Sequence, residues 1–268
     1  MVGRGGGVSG PRLGLQLYTV RHVASPLPAL LAEVAAAGYE GVETVGTQGA
    51  DPVRLRDALA AAGLALASAH VPLAELRADP RRLSATHRVL GTPMLVVPFL
   101  TPADRPLDLA GWAALGRELD ALGDRLAADG LALAYHHHDF ELVRHAGRDG
   151  LTALLEAADP ARLALELDSG WLAAVGEDPA DWIDRWGPRV ARLHLKDLAA
   201  GGGSATWVDV GDGVLDLPGV VAVARAQGVP WLLVEHDAPT DPLTTIRRSA
   251  ASARRATGPA RDVADPGG

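Results

Sequence analysis

The chain has 268 residues, of which 48% are hydrophobic, with no cysteine and a formal net charge of −8. That length suits one large α/β domain or two small ones, and the apolar share supplies a core and argues against disorder. Disulfides, thiolate metal sites and cysteine nucleophiles are excluded, and the acidic balance disfavours a nucleic-acid partner.

Residues 1–11 read as a flexible lead without the apolar stretch of a signal peptide, so a cytoplasmic location is expected. No apolar run is long enough for a membrane span. From Leu13 to about Arg255, short apolar runs alternate with helical patterns. The predicted strands are Leu13–Tyr18, Gly41–Val45, Ala65–His70, Met94–Pro98, Leu131–His136, Leu163–Asp168, Val190–Leu195 and Trp231–Glu235. Segments between them, such as Leu27–Ala36 and Trp112–Leu126, carry apolar residues at helical spacing. Ser25-Pro26, Asp51-Pro52, Asp79-Pro80, Asp178-Pro179 and Asp241-Pro242 predict helix starts, with a cap before a proline at the first helical position. Gly38, Gly63, Gly130 and Gly228 follow helical patterns and predict their ends. The tail, residues 257–268, has the Gly, Pro and charge content of a flexible segment.

Eight strand–helix units with no dividing linker predict a single (β/α)8 TIM barrel over residues 12–256. A doubly wound sheet would usually show a Gly-rich turn after its first strand, and Leu17-Tyr-Thr-Val-Arg21 is not one. Gly3-Arg-Gly-Gly-Gly7 precedes any strand and cannot cradle a phosphate, and no serine sits in a nucleophile elbow.

Strand residues alternate between the barrel interior and the helix layer. Leu163, Leu165 and Leu167 then face the helices, while Ala164, Glu166 and Asp168 face inward. The same parity turns Arg192, His194 and Lys196 inward, with Trp231, Leu233 and Glu235 on the last strand. His136 and His138 point inward on the fifth strand, and Glu141 lies just beyond its tip. Glu166 and Arg192 are expected to pair one layer below the mouth, and His137 to pack outward. Glu141, Asp168, His194 and Glu235 thus end four consecutive strands at one mouth. Three carboxylates and an imidazole make a ligand set for a divalent cation at the face where such barrels hold their active sites.

These segments resemble the sugar phosphate isomerase/epimerase family, which has the xylose isomerase-like TIM barrel. The resemblance covers Leu13-Gly-Leu-Gln-Leu-Tyr-Thr-Val-Arg21, Gly38-Tyr-Glu-Gly-Val-Glu43, His136-His-His-Asp-Phe-Glu141, Leu167-Asp-Ser-Gly-Trp171, His194-Leu-Lys-Asp197, Gly211-Asp-Gly-Val-Leu-Asp216 and Val234-Glu235. It implies one Mn, Mg, Co or Zn ion held by Glu141, Asp168, His194 and Glu235. The family often shows His-Asn-His where this chain has His136-His137-His138, so an additional histidine would compete with Glu141 or support it. The implied chemistry moves a proton beside a carbonyl through a metal-stabilised enediolate, with Glu141 and Glu235 as the acid/base pair.

An isomerase or epimerase of a sugar, keto-sugar or cyclitol follows; loss of a β-hydroxyl would make it a dehydratase or lyase of a keto-polyol or 3-keto-glycoside. His70, His138, Lys196, Glu43 and Trp171 are expected at the substrate, with Trp207, Phe99 and Phe140 as apolar walls. Gly201–Ala205 reads as a mobile loop over the site. An endonuclease IV-like activity is disfavoured because the fourth strand ends in Val96-Val-Pro98 without a histidine. A non-catalytic binding barrel is disfavoured by the intact ligand set. The resemblance implies a homo-oligomer, but no interface is legible.

Overall fold

The computed structural model describes residues 10–201 and 206–258. The eight predicted strands are present as β1 (Arg12–Gln16), β2 (Gly41–Val45), β3 (Ala65–His70), β4 (Met94–Val97), β5 (Ala132–His136), β6 (Ala164–Asp168), β7 (Val190–Leu195) and β8 (Trp231–Val234). All neighbours run parallel, and β8 closes on β1 with Leu13 opposite Leu232. The helices are α1 (Leu27–Ala37), α2 (Pro52–Ala61), α3 (Leu73–Ala78), α4 (Pro80–Leu90), α5 (Leu109–Ala127), α6 (Gly150–Glu156), α7 (Ser169–Ala174), α8 (Pro179–Trp186), α9 (Leu217–Ala226) and α10 (Pro242–Thr257). This is the expected (β/α)8 barrel. Most of the lead and tail, and residues 202–205 of the expected mobile loop, lie outside the described residues.

The Asp-Pro signals act as the sequence suggests. Asp51, Asp79, Asp178 and Asp241 each accept a backbone N–H from the first turn of α2, α4, α8 and α10. Ser25 does not: α1 begins after Pro26 with no side-chain cap. The first predicted strand is also shorter than expected, because Leu17–Val20 curls into a 3-10 turn once Gln16 accepts the Tyr18 N–H.

Alternation sorts the side chains into two layers. Leu15, Leu95, Leu133, Leu165, Leu193 and Leu232 face the helices in the main core. Inside the barrel, Trp231 and Leu233 pack with Ala67, and Met94 and Val96 with Ala134. Trp231 fits because its neighbours are small: a Cβ on Gly41 would sit 2.5 Å from the indole. Arg192 completes this floor by donating to the carbonyls of Ala67 and Ala191 and to Ser68 Oγ at 3.3 Å. The expected Glu166–Arg192 ion pair is therefore not formed, although the two are register partners. Carbonyls at the base of the barrel take the guanidinium, and Glu166 turns up toward His70 and His194.

Candidate active site

The mouth is built by the ends of β5 to β8. Asp168 stops β6 because its Oδ1 accepts the Gly170 and Trp171 N–H groups, at 2.8 and 3.0 Å, and so starts α7. Its Oδ2 is buried and makes no hydrogen bond. His194 Nδ1 lies 3.1 Å from Glu235 Oε2 and 3.9 Å from Asp168 Oδ2. His136 Nε2 is also 3.9 Å from Asp168 Oδ2. His136, Asp168, His194 and Glu235 each offer one ligand atom, all within 4.8 Å of one another and all buried.

A lower group of His70, His136, Glu166 and His194 has comparable spacing. Hydrogen-bond direction separates the two. Gln16 Oε1 accepts from the Tyr18 N–H, which fixes the amide so that Nε2 donates to Glu43 Oε2 at 2.6 Å and to His70 Nδ1 at 3.2 Å. His70 then donates from Nε2 to Glu166 Oε2 at 2.7 Å. His194 donates from Nε2 to Glu43 Oε2 at 2.9 Å and from Nδ1 to Glu235 Oε2 at 3.1 Å, so a cation bound beside Asp168 and Glu235 would take the place of the Nδ1 proton. Glu166 Oε2, 3.3 Å from His136 Nδ1, favours the matching tautomer there. Imidazoles that ligate metals commonly give their other N–H to a carboxylate in this way. The upper group, whose Asp168 Oδ2 makes no hydrogen bond and whose donors mix nitrogen and oxygen, fits a borderline divalent cation.

Electrostatics support the same division. Burial raises the Asp168 carboxyl to about 6 against the pull of Lys196 and His194. Burial also acts on Glu235, but Lys196 and His194 outweigh it and hold the carboxyl well below the usual range. Lys196 Nζ lies 2.9 Å from Glu235 Oε2, 2.9 Å from Asp237 Oδ1 and 3.4 Å from Asp168 Oδ2. Burial opposes its charge, and those three carboxylates hold it above the ordinary lysine range.

Of the four residues expected at the metal, the structure brings Asp168, His194 and Glu235 together and keeps Glu141 apart. Glu141 sits on a 3-10 turn, Phe140–Leu142, with no exposed surface. Its Oε1 accepts from the Tyr135 hydroxyl at 2.6 Å and its Oε2 from the His138 N–H at 2.8 Å. Burial pushes it up to about 7. His136 stands in the group in its place. His137 is buried as expected but does more than pack: its Nε2 accepts the Asp168 N–H at 3.0 Å, and its Nδ1 donates to the His138 carbonyl at 3.1 Å. It ties the tip of β5 to β6.

A cavity of about 550 Å³ opens above the group, lined among others by His70, His138, Trp171, Lys196 and Glu235. Glu43 is sealed beneath it and serves His194 and His70. Phe99 and Phe140 also line the cavity, and Trp207 meets Trp171 edge-on at 4.9 Å, with Lys196 Nζ about 5.2 and 5.1 Å from the two rings. Gln16 and Asp197 were not singled out by sequence. Asp197, fully buried, accepts the N–H groups of Leu198, Gly211, Gly213 and Leu215 and so fixes the segment carrying Trp207. A Cβ on Gly213 would lie 2.2 Å from Asp197 Oδ1, so that position needs glycine. The run of glycine and aspartate over 211–216 was the available signal.

Residues 31–256 match the family described as xylose isomerase-like TIM barrel, and the chain belongs to that family. It is 30% identical over 250 residues to the rhizopine catabolism protein MocC of Rhizobium meliloti, covering 80% of this chain and 75% of that protein. An inosose dehydratase of Geobacillus thermodenitrificans is 28% identical over 243 residues, 77% of this chain and 80% of the relative. The fold matches a sugar phosphate isomerase/epimerase from Parabacteroides distasonis with a TM-score of 0.81, at 21% identity over 96% of this chain and 98% of the other. Among the described residues, no helix is long and apolar enough to cross a membrane.

Proposed function

We propose that this member of the xylose isomerase-like family is a divalent-metal-dependent dehydratase that removes water beside the carbonyl of a keto-polyol, a keto-sugar or keto-cyclitol. A cation held by His136, Asp168, His194 and Glu235 would supply Lewis-acid polarisation of the carbonyl. The similarity to an inosose dehydratase over most of both chains agrees with this reading.

The observation that carries it is the close pairing of Glu235 with Lys196 at the cavity, without Glu141 opposite them. Epimerisation calls for proton donors and acceptors on opposite faces of a carbon. The expected second carboxylate, Glu141, has both oxygens committed to Tyr135 and the His138 N–H and does not line the cavity. An elimination needs a base and an acid side by side, which Glu235 and Lys196 provide at 2.9 Å.

Glu235 takes the proton from the carbon next to the carbonyl, and the electron pair passes into the enolate. The pair then returns to expel the β-hydroxyl, which leaves as water with a proton from Lys196. Protonating Glu235 removes one of the three carboxylates that hold Lys196 charged, so the ammonium becomes a better acid when its proton is needed. A final proton shift from Glu235 to Lys196 restores both groups. Neutral His138, held well below its ordinary pKa by burial, and Trp171 line the cavity wall and suit a sugar ring's C–H face.

The test is incubation of the Mn- or Co-loaded protein with inososes and ketoses in D2O, followed by mass spectrometry and NMR. Loss of one water from a substrate is expected, and Glu235→Gln should slow it by roughly 10²- to 10⁴-fold. A stereoisomer carrying deuterium at the exchanged carbon would replace the dehydratase with an epimerase, and an aldose–ketose isomer so labelled would replace it with an isomerase.

A further inference from the structure

We infer that the cavity contains an anion subsite built on Arg105, and that the substrate carries a carboxylate or phosphate group distant from the reacting carbonyl. The inference rests on the proposed reading only in taking this cavity as the place where substrate sits.

Arg105 lies in the segment between β4 and α5 and lines the same cavity as Glu235 and Lys196. Its chain neighbour Asp104 would be an obvious partner but is turned away. Asp104 accepts from Thr101 Oγ1 at 2.6 Å and from Arg77 Nη1 at 3.0 Å, and Arg77 is anchored in turn by Glu118. No carboxylate among the described residues forms an ion pair with Arg105. Glu141, whose ionisation Arg105 favours from nearby, spends both oxygens elsewhere.

The guanidinium is nevertheless held in place. Its Nε donates to the Leu100 carbonyl at 3.1 Å, and its centre lies 3.7 Å from the Phe140 ring centroid and 5.1 Å from that of Phe99. With its centre close to the Phe140 ring and Nε committed, the guanidinium keeps its two Nη groups as a fork, the geometry that receives a carboxylate or phosphate with two hydrogen bonds.

The charge balance of the cavity gives this cation its meaning. Lys196 is fully compensated by Asp168, Glu235 and Asp237. The other charged groups on the cavity wall, Asp139, Glu235 and Asp237, repel an anion, in a chain of net charge −8. Arg105 is the uncompensated cation among the described residues of that wall, and it is held ready for a partner the protein does not supply.

The test is calorimetric binding to the metal-loaded protein of sorbitol, sorbitol 6-phosphate and gluconate, none of which has a carbonyl to react. At least one of the two anions should bind about tenfold or more tightly than sorbitol, as expected for hydrogen bonds to a charged group. In Arg105→Met that ratio should fall to about one, and Arg105→Lys should keep part of it. Tighter binding of gluconate would identify a carboxylate, and tighter binding of sorbitol 6-phosphate a phosphate. Equal binding of all three probes to the wild type would overturn the subsite. So would an anion preference that survives in Arg105→Met, or in Arg105→Gln should the methionine variant melt early. Turnover plays no part in this assay, so its failure is distinct from failure of the water-loss experiment.

Discussion

Arg192 and Lys196 stand four residues apart on the inward face of β7 and its continuation, and the barrel treats them in opposite ways. At the floor, Arg192 meets neutral acceptors: two carbonyls and a serine hydroxyl. At the mouth, Lys196 is surrounded by three carboxylates. Around it lie buried polar atoms with no hydrogen bond, among them Asp168 Oδ2, His138 Nδ1 and Trp171 Nε1. Unpaired buried groups are costly, and proteins retain few of them. The floor spends its polar groups on holding the barrel's shape, whereas the mouth keeps some in reserve for something that must enter.

The strongest way to break this contrast is Asp168→Ala. The wild-type protein should retain about one divalent ion per chain, the stoichiometry of a single four-donor site. The variant should lose it, as measured by elemental analysis after dialysis. Turnover should fall by roughly a thousandfold, the worth of several kcal/mol of Lewis-acid stabilisation. Retention of the ion in Asp168→Ala would mean that Asp168 Oδ2 has no special role and that the mouth is as closed as the floor.

The convergence of Asp168, His194 and Glu235 at the mouth was legible because each ends an alternating strand, and period-two patterning fixes which face a strand residue takes. The barrel itself was legible for the same reason, repeated eight times. Glu141 stands apart from those three because it lies beyond β5, where a 3-10 turn swings it back against Tyr135; alternation has no hold outside a strand. The Gln16–Glu43–His194 chain was out of reach because it crosses the barrel. Glu43 and His194 are 151 residues apart, and β2 slips register against β3 beside Glu43. The Glu166–Arg192 pair was inferred from adjacency, yet partners across the barrel offered both residues better geometry.

A floor variant should sharpen the comparison from the other side. Arg192→Met removes a buried guanidinium from three acceptors and should lower stability by about 2–4 kcal/mol, as for lost hydrogen bonds to a charged group. Urea unfolding would measure it. Metal content should stay near the wild-type value, because none of the four donor atoms bonds to Arg192. A variant that lost the ion while keeping its stability would erase the distinction between shape-holding and ligand-holding layers.

The smallest expected effect lies outside the barrel and separates stability from site chemistry through pH. His87 on α4 is buried against the helix layer, with Nδ1 3.0 Å from Thr92 Oγ1, and burial lowers its pKa to about 4. The unfolded chain would hold that imidazole near its ordinary value of about 6.5. Between the two values the unfolded state binds the extra proton, so the stabilisation is complete above about pH 6.5 and is lost as pH falls toward 4. The loss should reach at most about 3.5 kcal/mol, at 1.4 kcal/mol per pKa unit. His87→Asn keeps a polar partner for Thr92 but cannot take up a proton. Its stability should therefore fall less steeply than the wild type's between pH 6.5 and 4 in paired urea titrations. Parallel curves for the two proteins would move the acid sensitivity to the mouth, where burial also lowers the pKa values of His136, His137 and His138.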